Sequence, residues 1–303
     1  GWVDLTVVLE ETGRSLFPSP LIPTTLAAFA ITRSGSEAQQ ARFLPGLANG
    51  SRVGTVALVE TDDTPGPEGV ALEARADAAG LVLTGEKLFV QNAASADLFV
   101  VAFRGPQGLG LAVVEKDHAG VSTEEWPGID LTKRLGRLSL RDVAVAPDHV
   151  LAAGEADVAA LFDAGATAVT AEAVGSAEAA LDLTTGYAKQ RVQFGRTIGT
   201  FQGVKHPLAE MYVDVESWKS LAYYAAWCIA EQHADLELAV SRAKAYASEC
   251  FPRIGIDGVQ LHGGIGYTWE YDAQLFLKRA KWVRPLFADA DYHYERVARA
   301  GGL

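Results

Sequence analysis

Residues 189–206 read KQRVQFGRTIGTFQGVKH. The sequence on either side has a helical period. Thr170, Val174, Ala177, Leu181, Thr184 and Ala188 recur at three or four residues before it, and Val204, Leu208, Met211, Val215, Trp218, Ala222, Ala225 and Ile229 do so after it. Narrow apolar stripes of this kind predict two helices of a bundle. The junction between them crowds arginines, glutamines and glycines together. Arg191, Arg196, Lys205 and His206 form a basic patch able to hold a small anion in an acidic protein.

Outward from this junction the texture changes twice. A third helix is expected over 235–260 with a kink at Pro252, and a fourth over 272–299 bent at Pro285. Upstream, from about Ser51 to Leu151, GLVLTGEKLFV, DLFVVAFRG, LGLAVVEK and RLSLRDVAVAPDHV are short β-rich runs parted by Gly, Asp and Asn turns. They predict a small antiparallel barrel or sandwich. Before it, three helical pieces are expected: one to about Ser15, one after Pro23, and one opened by a Ser36 cap and closed near Asn49-Gly50. The expected class is α+β, with residues 1–50 the remnant of an N-terminal helical domain, 51–151 a middle β-domain and 152–303 a C-terminal four-helix bundle.

A chain of 303 residues with 49% hydrophobic and 21% charged residues has the composition of a globular protein, and its apolar stretches read as too short for a membrane span. The net charge of -12 argues against a nucleic-acid partner. Cys228 and Cys250 are too few for a disulfide framework or a zinc site, which fits a reducing cytoplasm. The chain begins Gly1-Trp2-Val3-Asp4 with no initiator methionine and no signal-peptide core, so residue 1 reads as the middle of a domain and further N-terminal helices are expected.

The second informative stretch is GVQLHGGIGYTWEY, residues 258–271. A glycine pair at a helix end lets backbone approach a ligand, and free N–H groups there suit phosphate oxygens; alone it is equally a plain helix C-cap. Taken together, YAKQRVQFGRTIGTFQGVKHPLAEM and QLHGGIGYTWEY resemble the acyl-CoA dehydrogenase family, with its R-x-x-F-G and Q-x-x-G-G-x-G patterns. The likeness extends through VLEETGRSL, GEKLFVQNA and RDVAVAPDHVL, over nearly the whole chain.

The resemblance implies an FAD lying across a two-fold interface, with each site built from two chains. The bundle of one chain grips the pyrophosphate and adenosine, and here that half-site is Arg191, Gln193, Phe194, Ile198, Phe201, Gln202, Gln260, Gly263 and Gly264. A guanidinium offers paired donors to a pyrophosphate, and amides with glycine backbone complete the shell. The flavin-ring half departs from the family. VALVETDDTPGPEGV has Val59 in place of the threonine of the family's Thr-Glu-Pro turn, and Phe89-Val90-Gln91 stands for its Trp-Ile-Thr.

The reaction implied removes the pro-R α-proton of an acyl thioester while the β-hydride passes to flavin N5, and it needs a positioned carboxylate. The family places a glutamate at one of two positions, and by resemblance these hold Phe287 and Gly165, with Ala166 where many members carry arginine. Asp289, Asp291 and Glu172 are the other acids near these positions, each better read as a structural or solvated carboxylate.

The chain thus resembles a non-catalytic subunit of the α2β2 heterotetramers of the family, several of them from actinobacterial steroid side-chain breakdown. The implied partners are a homologous subunit carrying the glutamate, an acyl-CoA substrate and an electron-transfer flavoprotein. Two alternatives stay open: a self-sufficient homotetramer with an unorthodox base, and a flavin-free scaffold.

Overall fold

The computed structural model describes residues 1–77 and 80–302. The chain divides into two compact units, one of residues 18–165 and one of residues 1–17 with 166–303.

Within the unit 18–165, two helices precede the strands. The chain's first helix, α1 (Trp2–Arg14), belongs to the other unit; α2 (Leu21–Ser34) and α3 (Glu37–Ala48) open this one. α2 starts two residues ahead of Pro23, because a helix's first turn has no use for the missing N–H. α3 carries the expected cap. Gln39 N donates to Ser36 Oγ at 3.3 Å and Ser36 N to Gln39 Oε1 at 2.8 Å, a reciprocal pair that satisfies two end donors.

Among the described residues seven strands follow: β1 (Gly54–Ala57), β2 (Ala74–Asp77), β3 (Gly80–Gln91), β4 (Leu98–Gly105), β5 (Gly108–Glu115), β6 (Val121–Trp126) and β7 (Leu135–Val145). They form two sheets, ordered β1-β4-β5 and β2-β3-β7-β6. The expected antiparallel arrangement needs one correction, since β1 runs parallel to β4 from Gly54↔Leu98 to Ala57↔Val101. The core draws Ala57, Phe99, Val101 and Val114 from one sheet and Leu83, Val90, Leu138 and Val143 from the other, the packing of a sandwich.

In the bundle, α4 (Glu155–Gln190) carries the boundary between the units at Gly165/Ala166 and is followed by α5 (Gln202–Ala230), α6 (Leu236–His262), α7 (Ala273–Val283) and α8 (Ala290–Ala300). One expectation changes here. The fourth predicted helix is two helices. After Pro285, Phe287 (φ 53°) and Ala288 (φ 69°) take left-handed conformations that cannot propagate a helix, and the Asp289 carboxylate restarts one by accepting from Tyr292 N at 3.4 Å. α6 runs through a buried Pro252 as one helix, as expected.

α4 does not carry a narrow stripe; it is buried on every side from Leu161 to Ala177. Its alanines, glycines and threonines admit close neighbours. A Cβ at Gly175 would lie 1.8 Å from the Glu10 carbonyl oxygen, and one at Gly13 would lie 1.7 Å from that of Glu172, so α1 crosses α4 backbone to backbone. Ser176 Oγ donates to Gly13 O at 2.8 Å across the crossing. Among the described residues α4 is the one helix long and apolar enough to cross a membrane, and 89% of its most apolar stretch is buried within the fold.

Candidate cofactor-binding site

The first stretch folds as a miniature hairpin. Arg191 N still donates to Tyr187 O (2.8 Å), and the chain then turns through β8 (Val192–Gln193) and β9 (Arg196–Thr197), paired Val192↔Thr197 and Gln193↔Arg196. The two-residue turn is Phe194-Gly195, with φ 53° and 77°, the doubly left-handed geometry that tight hairpins demand. Glycine accepts that conformation freely; a phenylalanine there is strained by about 1–3 kcal/mol. Its ring is 92% exposed and meets Phe201 edge-on, with centroids 6.1 Å apart.

The two arginines are in different situations. Arg196 lies over the Phe201 ring at 4.1 Å, a cation–π contact within the chain. Arg191 is exposed, and among the described residues its side chain makes no hydrogen bond or ion pair. Gln193 is exposed, and its amide donates only to the neighbouring Val192 O, at 2.8 Å. Ile198 and Phe201 are half-buried beneath the hairpin. α5 begins at the exposed Gln202, with Phe201 as an N-cap that contributes no side-chain hydrogen bond and with no acidic residue in the first turn. Its free N–H groups and the positive end of its dipole suit an anion.

The second stretch starts from the exposed Gln260. Gly263 ends α6 with φ 65°, ψ −143°, a conformation that suits glycine alone, and a 3-10 turn over Gly263–Tyr267 follows. The glycines differ in purpose. A Cβ at Gly266 would strike the His262 Cβ and the Val259 carbonyl oxygen, both at 2.7 Å, whereas a Cβ at Gly264 meets nothing within 4 Å. The fold needs Gly266; at Gly264 the bare backbone is free for an external group. Tyr267 beside it is 83% exposed.

Aromatic packing brings the two stretches to the same end of the bundle. His262 packs against Tyr187, one turn before Arg191, and against Tyr271, with ring centroids 4.6 and 4.8 Å away. This arrangement was not read from the sequence, although all three residues lie within or next to the quoted stretches. The exposed guanidinium, amides, uncapped helix start and open glycine make a donor set that fits an anionic dinucleotide such as FAD.

The positions by resemblance assigned to a catalytic base hold none. The Phe287 ring packs against the cluster that includes Ala166, Ala225, Cys228 and Val240. Its loop is gripped from behind. Lys244 Nζ, fully buried, donates to Ser248 Oγ (2.8 Å), Arg284 O (2.9 Å) and Ala288 O (2.8 Å), and buried His293 places Nε2 2.8 Å from Phe287 O. Burial pushes the Lys244 ammonium down to about 7 and the His293 imidazole down to about 3. Of the nearby acids, Asp289 is the α8 cap, Asp291 is exposed, and Glu172 is 3% exposed and paired with fully buried Arg279 at 3.2 Å.

In the unit 18–165, the other expected half-site keeps one aromatic surface. Phe89, at φ 52° in a break of the β3–β7 register, is half-exposed and meets Trp126 edge-on at 5.6 Å. Gln91 is buried, its carbonyl accepting from Thr55 Oγ1 at 2.7 Å. Glu60, next to Val59, is held by Lys87 Nζ at 2.5 Å and by Ala71 N and Leu72 N at 3.1 and 2.9 Å, so that turn is braced from within.

Domain matches extend over almost all of the chain: acyl-CoA dehydrogenase N-terminal domain at residues 1–51, middle domain at 55–143 and C-terminal domain at 153–301. The chain belongs to the acyl-CoA dehydrogenase family. It is 34% identical over 277 residues to acyl-CoA dehydrogenase IpdE2 of Mycolicibacterium smegmatis, a match covering 91% of this chain and 72% of that protein. Among solved structures it is similar to a variant of the Tcur3481-Tcur3483 steroid ACAD, with 35% identity, a TM-score of 0.89, and 100% and 82% of the two chains covered. It is also similar to the ChsE4-ChsE5 complex of Mycobacterium tuberculosis, with 28% identity, a TM-score of 0.91, and 100% and 81% covered. FAD use is what membership of this family implies.

Proposed function

We propose that this chain is the FAD half-site subunit of a heteromeric acyl-CoA dehydrogenase. It works with a homologous subunit that supplies the catalytic glutamate, in the α,β-desaturation of an acyl-CoA thioester such as a steroid side-chain or branched acyl group. What supports the reading is the loop after α7, where the position that the resemblance assigns to the base is Phe287, packed against the cluster that includes Ala166, Ala225 and Cys228, with its loop held by Lys244 and His293. Neighbours named as two-protein assemblies, one of them a steroid ACAD, support a partner and a substrate of this kind.

FAD, when bound, supplies the hydride acceptor for the desaturation. This chain's part is to hold the cofactor from the adenosine side. Arg191 places paired N–H donors on the pyrophosphate; the Gln193, Gln202 and Gln260 amides and the start of α5 complete its hydrogen bonding; Gly263 and Gly264 let the backbone approach. Phe194, Ile198 and Phe201 give the apolar edge that excludes water. The proton-abstracting carboxylate, the flavin-ring pocket and most of the acyl pocket belong to the partner. Electrons leave to an electron-transfer flavoprotein, and the assembly works in the cytoplasm.

Two results test this. The chain purified alone is expected to show no acceptor reduction with a panel of acyl-CoAs, and Phe287→Glu alone is expected not to restore it, because the Val59 and Gln91 turns are altered as well. Robust single-chain turnover would instead favour the self-sufficient homotetramer. In the complex co-purified with its partner, Arg191→Ala is expected to weaken FAD retention roughly ten- to hundred-fold, the loss of a charge-assisted contact worth about 1.5–3 kcal/mol. Arg191→Lys should recover part of it. Arg196→Ala, whose guanidinium is spent on Phe201, should cost much less. Flavin content after dialysis decides, and full occupancy in Arg191→Ala sinks the assignment. A complex carrying no flavin at all supports the scaffold reading.

A further inference from the structure

The two stretches of the half-site belong to different helices, yet one ligand must touch both, so something in the chain has to fix their relative position. Four observations converge on His262. It is the last residue of α6, immediately before Gly263, and it is 3% exposed. Its ring meets Tyr187 of α4 at 4.6 Å and Tyr271 at 4.8 Å, tilted by 33° and 51°, and those two tyrosines meet each other edge-on at 6.1 Å, so the three rings close a triangle. Its Nδ1 lies 2.6 Å from Gly258 O, one turn back, which orients the ring against its own helix. The 3-10 turn folds back onto it, leaving no room for a Cβ at Gly266.

The helices are in close contact just below this cluster, where a Cβ at Gly258 would lie 3.3 Å from Thr184 Oγ1. The imidazole is therefore the last spacer between α4 and α6 before both chains leave their helices. Arg191 follows Tyr187 by one helical turn, its N–H still bonded to Tyr187 O at 2.8 Å, and Gly263 follows His262 directly.

We infer that His262 is a positioning residue that, through its ring contact with Tyr187 of α4 in the cluster closed by Tyr271, sets the distance between the Arg191 hairpin and the Gly263-Gly264 backbone and so tunes the half-site to the span of a dinucleotide pyrophosphate. This rests on the cofactor reading above. The ring's bulk sets the spacing, and the Nδ1 contact to Gly258 O only helps to orient it. Burial holds the imidazole below its ordinary value, which keeps it neutral, and a neutral aromatic of similar thickness can replace it.

The test uses the flavin-bearing assembly in which the chain is purified, stripped and titrated with FAD by equilibrium dialysis, beside thermal melts. His262→Ala is expected to raise the FAD dissociation constant at least tenfold, and His262→Phe, which keeps a ring in the cluster, to return it to within about threefold of the parent. A purely structural role predicts a different coupling. If His262 acts by placing the hairpin against the glycine turn, His262→Ala adds little further loss once Arg191 is Ala; independent destabilisation would multiply the two losses. The inference is overturned if His262→Ala binds FAD within twofold of the parent, if His262→Phe fails to rescue affinity while melting like the parent, or if the losses multiply. Should Arg191→Ala itself have no effect, both this inference and the cofactor reading fail; a loss in Arg191→Ala with none in His262→Ala sinks this inference alone.

Discussion

Gly175→Ala is expected to destabilise the protein by at least about 3 kcal/mol, and Gly13→Ala by a similar amount. A methyl at either position would stand within 2 Å of a carbonyl oxygen of the facing helix: 1.8 Å from Glu10 O for Gly175 and 1.7 Å from Glu172 O for Gly13. Both obstacles are backbone, so no rotamer change relieves them, and α1 has to lift away from α4. Lifting it breaks the Ser176 Oγ bond to Gly13 O and loosens the polar cluster beside the crossing, where Lys219 Nζ donates to Glu10 Oε1 at 2.6 Å and to Glu178 Oε1 at 2.8 Å, and Tyr223 OH donates to Glu10 Oε2 at 2.9 Å. Because one separation accommodates both methyls, the double variant should cost little more than either single one. Chemical denaturation of the three variants is the measurement. A parent-like midpoint for either single variant, or full additivity in the double, would show that the helices do not meet through these glycines.

That crossing also shows which features of the fold a sequence hides. A glycine inside a helix registers as a weak point, not as a contact, so the approach at Gly13 and Gly175 left no signal. α5 was legible because only one of its faces is buried, which gives Met211, Val215, Trp218 and Ala222 a clear period. α4 is buried on all sides over residues 161–177, and there the period of its apolar residues carries no information about a face. The short β1, β2 and β6 were missed for a related reason: β1 is wholly buried, and β6 is VSTEEW, mostly polar. At the candidate site, the arginine, glutamines and glycines stood out because such residues in a helical context have little to do inside a core. His262, Tyr187 and Tyr271 carry no such signal in the sequence, and the spacing they impose became visible only once the helices were assembled. Pro285 reads as a bend in one helix and not as the break between α7 and α8; that Phe287 and Ala288 would turn left-handed did not follow from residue type.

The second large effect is expected at Glu172 and Arg279, two charges in the bundle interior 3% and 0% exposed, 3.2 Å apart. Removing one partner leaves the other charge buried, so Glu172→Ala and Arg279→Ala should each cost about 3–5 kcal/mol. Replacing both with apolar residues of similar bulk, as in Glu172→Leu with Arg279→Met, removes the desolvation penalty along with the attraction and should cost much less than either single loss. The same residue discriminates between functional readings. Were Glu172 an unorthodox base, Glu172→Gln would abolish turnover in any assembly, since an amide cannot accept the α-proton. In the half-site reading Glu172 is a strut whose carboxylate is committed to Arg279, and the glutamate that takes the proton belongs to the partner. Glu172→Gln in the two-chain complex is then expected to lower the melting temperature and leave turnover per bound flavin within about twofold of the parent, measured at a temperature where both stay folded. Loss of turnover with flavin content and fold intact would place the base in this chain after all.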